Sequence, residues 1–253
     1  LISDPGNTRA SIMKAFALIR LGEFEKAIQV LEGIETNDNP DLPACLLGFS
    51  YSRLENSEKA LRAYRKAIEL NSKNISARNG LAELYFKLGN SMGALKELET
   101  SITESPEDAF SRCLKGRIEL EEQACENALE SFRRALAIDA EDQKLLLWDA
   151  YARYMYAEAS LDEGSARFRN MLLATAGKLE KSAICQRSGE SQLKAYALYF
   201  LGLFYCRACY FRKAAEKLEE CLELKRADGI IKPASLRLKN IRTGPLKPPW
   251  WEW

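Results

Sequence analysis

The side chains of this chain that could do covalent or metal chemistry are its seven cysteines: Cys45, Cys113, Cys125, Cys185, Cys206, Cys209 and Cys221. Histidine is absent from all 253 residues, which removes Ser-His-Asp and Cys-His catalysis and every imidazole metal site. Cys206 and Cys209 form a C-x-x-C. A redox pair of this type normally opens a helix, where the dipole lowers a thiol pKa. Here the pattern is helical on both sides, so the pair is expected deep inside a helix, one turn apart on one face. No second C-x-x-C completes four zinc ligands. The expectation is small apolar core residues, with no metal, no cofactor and no enzyme activity. The odd count and scattered spacing do not make a disulfide framework, and they favour a reducing, cytoplasmic compartment. The chain starts at Leu1 with no signal pattern and reads as processed or trimmed, which leaves a bacterial periplasm open.

Recognition is the other chemistry on offer, and composition bounds it. The chain is 47% hydrophobic and 29% charged, with 37 basic and 36 acidic side chains and a net charge of +1. Nucleic-acid binding domains show a basic excess, which is missing here. No apolar run reaches the roughly 18 residues that a membrane-spanning helix needs.

The elements that must position any binding residue follow from a repeat. Gly48, Ala82, Gly116 and Ala150 stand 34 residues apart, and Ala60, Ala94, Ala128 and Tyr64, Leu98, Phe132 keep the same step. Such a period marks a stack of helical hairpins. Small residues such as Gly48 and Ala60 let paired backbones approach, and Tyr64 and Phe132 fill the space between successive hairpins. No hairpin can bury its apolar face alone, so neighbours must stack. Gly22 and Gly89-Asn90 fit the left-handed turn that ends a first helix. The register breaks after Tyr151. Residues 143–160 are expected to form one helix and 163–183 a longer, irregular second one, with Phe168, Met171, Leu172 and Leu179 at helical spacing. Residues 187–190 are expected to form a loop.

In-phase small and aromatic residues at this period resemble the tetratricopeptide repeat family. The unit 41–74 carries Leu47-Gly48, Tyr51, Ala60, Tyr64 and Ala67 at the family's positions. The unit 75–108 carries Leu81-Ala82, Tyr85, Gly89, Ala94, Leu98 and Pro106, and the unit 109–142 carries Gly116, Ala128, Phe132 and Ala135, with Glu119 where the family prefers Tyr. An early unit, about 8–40, matches through Ala15, Gly22, Ala27 and Leu31; a late one, 195–228, matches through Leu201-Gly202, Tyr205, Ala214, Leu218 and Cys221. The resemblance implies an all-α, right-handed α-solenoid of antiparallel helix pairs over residues 1–242, with an irregular unit at 143–194 and a capping helix at 232–242. Pro233 is expected in the first turn of that cap.

The resemblance also implies a binding face, since first helices line the concave side in the family and positions 2, 5, 9, 12 and 13 meet ligands. Carried over, these positions give an aromatic series, Phe16, Phe49, Phe86, Phe110, Tyr151, Tyr154, Tyr196 and Tyr199, and a basic series, Arg20, Arg53, Lys87, Arg117 and Arg207. Aromatics and Arg dominate binding hot spots. Position 9 lacks the Asn that a chaperone-binding carboxylate clamp requires. Residues 243–253 form a Pro/Trp-rich tail that holds Trp250, Trp251 and Trp253. These indoles are expected to dock on the chain's own last helices, on a partner or at a membrane interface. The expected function is a non-catalytic adaptor that grips a protein or peptide in an aromatic, Arg-edged groove, with no nucleic-acid partner. Two rivals stay open: a structural subunit using the convex face and tail, which could self-associate, and a lipid-linked or membrane-peripheral module.

Overall fold

A computed structural model describes residues 5–34, 40–163, 165–186, 192–224 and 228–243. Trp250, Trp251 and Trp253 and the expected loop at 187–190 lie outside the described residues. Every regular element among the described residues is helical, as the repeat pattern requires. The chain divides into two compact units, Leu1–Ile118 and Glu119–Trp253.

The first unit holds α1 (Pro5–Leu21), α2 (Phe24–Glu32), α3 (Asp41–Arg53), α4 (Ser57–Leu70), α5 (Ile75–Lys87), α6 (Ser91–Glu104) and most of α7 (Ala109–Glu121). Consecutive helices pack as hairpins: α1 on α2, α3 on α4, α5 on α6. Polar residues at the repeat period set where helices begin. Asn56 and Asn90 accept hydrogen bonds from the backbone N–H groups of Lys59 and Gly93, and Asn74 and Asp108 accept from those of Ala77 and Ser111. Each satisfies a helix-terminal donor that would otherwise lack a partner. The turns between paired helices reuse one left-handed residue, with φ of 79° at Gly22, 59° at Glu55 and 78° at Gly89.

Packing explains the small residues. A Cβ built on Gly48 falls 2.6 Å from the Tyr64 ring, and one built on Gly80 collides with the far end of the same ring. Tyr64 is therefore clamped between α3 and α5. Around it sit Ala44, Cys45, Ala60, Ala67, Ala77, Leu81 and Leu84, all buried. A second cluster joins Ala82, Ala94, Leu98, Leu114 and Ile118.

The second unit holds α8 (Cys125–Ile138), α9 (Gln143–Ser160), α10 (Ala166–Lys181), the one-turn α11 (Ala183–Gln186), α12 (Gln192–Arg207), α13 (Phe211–Glu223) and α14 (Asp228–Thr243). Its core is larger and runs through Phe168, Leu172, Leu179, Leu201, Phe204, Leu218 and Ile241. The expected second helix of the irregular hairpin is shorter than its sequence pattern. Ser165 caps α10 by accepting from the Phe168 N–H, and the chain breaks at Ser182, where φ −68° and ψ 155° leave the helical region.

Two expectations are corrected here. Pro233 lies inside α14, not in its first turn, because the helix begins at Asp228. Cys206 and Cys209 do not share a helix face. Helix α12 stops at Arg207, and Cys209 occupies the left-handed turn at φ 65°, as Gln123 does at 59° before α8. Cys209 is exposed and Cys206 half-buried, so the cysteines are not uniformly core either. Glu119, the departure from the family pattern, is buried and accepts a hydrogen bond from Ser131 Oγ at 2.6 Å.

Candidate functional site

An apolar cleft in the second unit gathers the densest set of candidate residues. On α9, Lys144, Leu147, Trp148 and Tyr151 follow the i, i+3, i+4, i+7 spacing of one helix face; on α12, Leu193, Tyr196 and Phe200 do the same. The two helices touch directly, and α10 packs on both, which holds their facing stripes in register. The space between them has a volume of about 410 Å³. That is within the range of small-molecule and side-chain pockets.

The rings form a continuous stack. Trp148 meets Tyr151 edge-on at 6.2 Å, Tyr151 stacks on Phe200 at 5.7 Å, and Phe200 stacks on Phe204 at 6.2 Å. Tyr154 tilts against Phe204 at 6.0 Å and Tyr199 against Phe200 at 6.1 Å. Burial holds the Tyr154 hydroxyl above its ordinary pKa, with Glu158 adding to the rise, so it remains a neutral donor. The cleft is almost purely apolar, and Lys144, exposed at its lip, is the one charged side chain lining it.

Beyond the aromatic ladder, Arg207 is held by Glu158 and Glu163, each at 2.7 Å, and lies over the Phe168 ring at 5.8 Å. Its charge is thus spent within the unit. A second cavity, about 330 Å³, opens among α8, α9 and α10, with Arg133, Arg153 and Lys178 around the buried Asp149. Arg153 Nε donates to Asp149 Oδ2 at 2.8 Å.

In the first unit the expected residues are placed differently. Phe16, Phe49 and Phe110 are 48%, 41% and 53% exposed. Phe49 meets Phe24 edge-on at 6.3 Å, and the Arg53 guanidinium lies over Phe24 at 5.7 Å, so these three form one surface cluster. Arg20 and Lys87 are exposed, and Arg117 is half-buried. Phe86 rests against the core of Ala82, Leu98 and Leu114. Other ligand-facing positions are core: Cys45 is buried, and buried Asn79 donates to Asp108 and accepts from Ser111 Oγ at 2.8 Å.

The structure therefore brings Tyr151 and Tyr196 into one cleft, with Tyr154 and Tyr199 on adjoining rings. Trp148, Phe200 and Leu193 were missed, as was Phe24 in the first unit. The signal for Trp148 was present, since it completes the face that Lys144, Leu147 and Tyr151 begin. Phe200 stands one turn after Tyr196.

Comparison with known proteins follows the same repeats. The chain matches a TPR repeat profile over residues 48–89 and a tetratricopeptide repeat profile over 81–143. It is 35% identical over 74 residues to a TPR repeat-containing protein of Methanocaldococcus jannaschii, a match covering 29% of this chain and 23% of that protein. It is 31% identical over 130 residues to Hsp70-Hsp90 organizing protein 2 of Arabidopsis thaliana, covering 51% of this chain and 23% of the other. The matches thus span under a quarter of the length of these relatives. Among solved structures, that of Pseudomonas aeruginosa pilF superposes with a TM-score of 0.71 at 16% identity, over 92% of this chain and 98% of that one. The crystal structure of YrrB, a TPR protein with an unusual peptide-binding site, superposes with a TM-score of 0.56 at 19% identity, over 84% and 97%. At these identities the likeness is one of fold.

Proposed function

The chain is a tetratricopeptide-repeat protein, and from that premise we propose that it is a non-catalytic adaptor whose α9–α12 cleft takes apolar anchors of a peptide or helix. Tetratricopeptide-repeat proteins generally mediate protein–protein interactions, and adaptor relatives such as the Hsp70-Hsp90 organizing proteins carry the matched repeats. One observation carries the finer reading: seven residues of α9 and α12 enclose about 410 Å³ of space with a single charged group at the lip. Apolar anchors in water-excluding pockets supply most of the binding energy of an interface, whereas charges at a rim add orientation. The chemistry of the chain points the same way. It has no histidine, and the aromatic ladder offers surface without a nucleophile–base pair.

The chaperone-clamp relatives do not extend this reading to a carboxylate ligand. The corresponding positions hold Phe16, Phe49, Glu83, Arg117, Tyr151 and Leu203, none of which supplies the required Asn amide.

Peptides selected against the full chain from a display library test the proposal. Selected sequences are expected to share spaced Leu, Phe or Trp anchors, and Tyr196→Ala is expected to weaken them about tenfold or more. The melting temperature of the variant should stay close to that of the parent, since Tyr196 is only half-buried. Selected peptides whose affinity ignores Tyr196→Ala would show that the cleft is not the site.

A further inference from the structure

The cleft and the end of the chain have matching chemistry. Residues 244–253 read Gly-Pro-Leu-Lys-Pro-Pro-Trp-Trp-Glu-Trp, with three indoles and one carboxylate within four positions. The cleft offers an apolar slot with one cation, Lys144, which makes no ion pair among the described residues. We propose that this segment of the same chain folds back and seats its indoles between α9 and α12, with Glu252 against Lys144, so that a partner must displace it. The proposal rests on the reading of the cleft as a receptor for apolar anchors and names its resident occupant.

The course of α14 makes the reach possible. A Cβ on Gly229, near the start of α14, would lie 3.9 Å from the Tyr196 hydroxyl at the cleft. Further along, Arg237 hydrogen-bonds Cys206 near the end of α12. Helix α14 therefore runs parallel to α12 and carries the chain away from the cleft. From Gly229 to Thr243 it travels about 21 Å at 1.5 Å per residue. A proline-rich extended segment gains about 3.1 Å per residue, so Trp250 returns about 22 Å from Thr243 and Trp253 about 31 Å. The return distance and the tail length agree. Gly244, directly after the helix, is the residue type that permits the reversal. The short tether also raises the effective concentration of the tail to the millimolar range, which favours the chain's own cleft over a second copy.

Trp148→Phe in the full chain leaves the tail tryptophans as the only indoles. Their emission is expected to be blue-shifted, shielded from acrylamide and unchanged on dilution. Lys144→Glu should reduce the shielding, and Lys144→Glu combined with Glu252→Lys should restore it. Water-like emission at every concentration overturns the proposal. A shift that disappears on dilution assigns the tail to a second copy, and shielding that ignores Lys144→Glu assigns it to another surface; either result also overturns it. Anilinonaphthalene sulfonate separates this from the cleft reading itself. With Trp250, Trp251 and Trp253 changed to Ala, dye affinity should rise about tenfold if the tail covers the cleft nine-tenths of the time, and adding Tyr196→Ala should remove the gain. Equal binding with and without the tail indoles overturns the tail alone. No dye binding in the tail variant overturns the cleft as a receptor.

Discussion

At the scale of single residues, burial sorts the cysteines into distinct reactivities. Burial, with a smaller effect of Asp41, pushes the Cys45 thiol from its ordinary 9.0 up to about 11, and burial alone does the same for Cys221. Cys221 also donates its S–H to the Ala195 carbonyl at 3.3 Å. Cys209 stands exposed in a turn. Ellman's reagent at pH 8 is expected to modify Cys209 first and to leave Cys45 and Cys221 untouched until denaturant is added. The sign of the pH effect follows. The folded state holds the Cys45 proton more tightly than the unfolded chain, so its contribution to stability is complete below about pH 9 and is lost as pH rises through about 11. Denaturation midpoints measured between those values should fall. The same turn makes a second expectation. A left-handed residue with a side chain costs roughly 1–2 kcal/mol, and glycine returns part of that as extra freedom when unfolded. Cys209→Gly should therefore stabilise the chain by about 0.5–1 kcal/mol in urea titrations. Sequence reading found this turn where it held Gly22 and Gly89 and overlooked Glu55, Gln123 and Cys209, because glycine was the only signal for it. The C-x-x-C was read as helix for the same reason.

At the scale of elements, the close approach of helices separates glycines of equal helix propensity. Gly48 in α3 faces the rigid Tyr64 ring at 2.6 Å, whereas Gly177 in α10 has nothing within 4 Å of a built Cβ. Gly177→Ala is expected to stabilise by about 0.5–1 kcal/mol through reduced unfolded-state freedom. Gly48→Ala is expected to destabilise by about 1–3 kcal/mol, since overpacking outweighs the propensity gain. Thermal melts of the two variants should move in opposite directions, and equal shifts would mean that Tyr64 moves aside. The helix pairs were legible because the 34-residue step repeats both packing residues and caps. The irregular hairpin was legible in its first helix, residues 143–160, but the end of the second was not, since the apolar period gives no stop at Ser182. The start of α14 was missed because Pro233 looks like a first-turn residue, and nothing apolar marks the preceding turn. The cleft was half legible. Family positions reached Tyr151 and Tyr196, but Trp148 and Phe200 sit between those positions, and only the pairing of α9 with α12 brings their faces together.

At the scale of the whole molecule, each compact unit carries its own core, and nearest-neighbour packing dominates the stability of repeat proteins. A lesion in the first unit should therefore open local structure before it opens the second. In hydrogen exchange, Gly48→Ala is expected to lower protection in α3, α4 and α5 well before α12 and α13. Uniform loss of protection across the chain would mean that the two units unfold as one. Binding should divide in the same way. Phe49→Ala removes a partly exposed ring beside Phe24 and Arg53 and is expected to leave α9–α12 ligands unaffected.

The pairing of Asn79 with Asp108 and Ser111 also bears on how this protein ages. Asn79 is followed by Gly80, the neighbour that least hinders attack of a backbone nitrogen on the asparagine amide and its conversion to a cyclic imide. Inside α5 that attack is blocked. The helix fixes the Gly80 nitrogen, and the Asn79 amide is tied to Asp108 at 2.9 Å and to Ser111 at 2.8 Å. Once deamidated, residue 79 would set a second carboxylate against Asp108 in a buried site, and the repulsion would hold α5 away from α7. The native fold thus guards its own covalent chemistry, and a brief excursion out of it would leave a permanent chemical mark. Peptide mass spectrometry after storage in urea should find deamidation at Asn79, while the same storage in buffer should leave it intact.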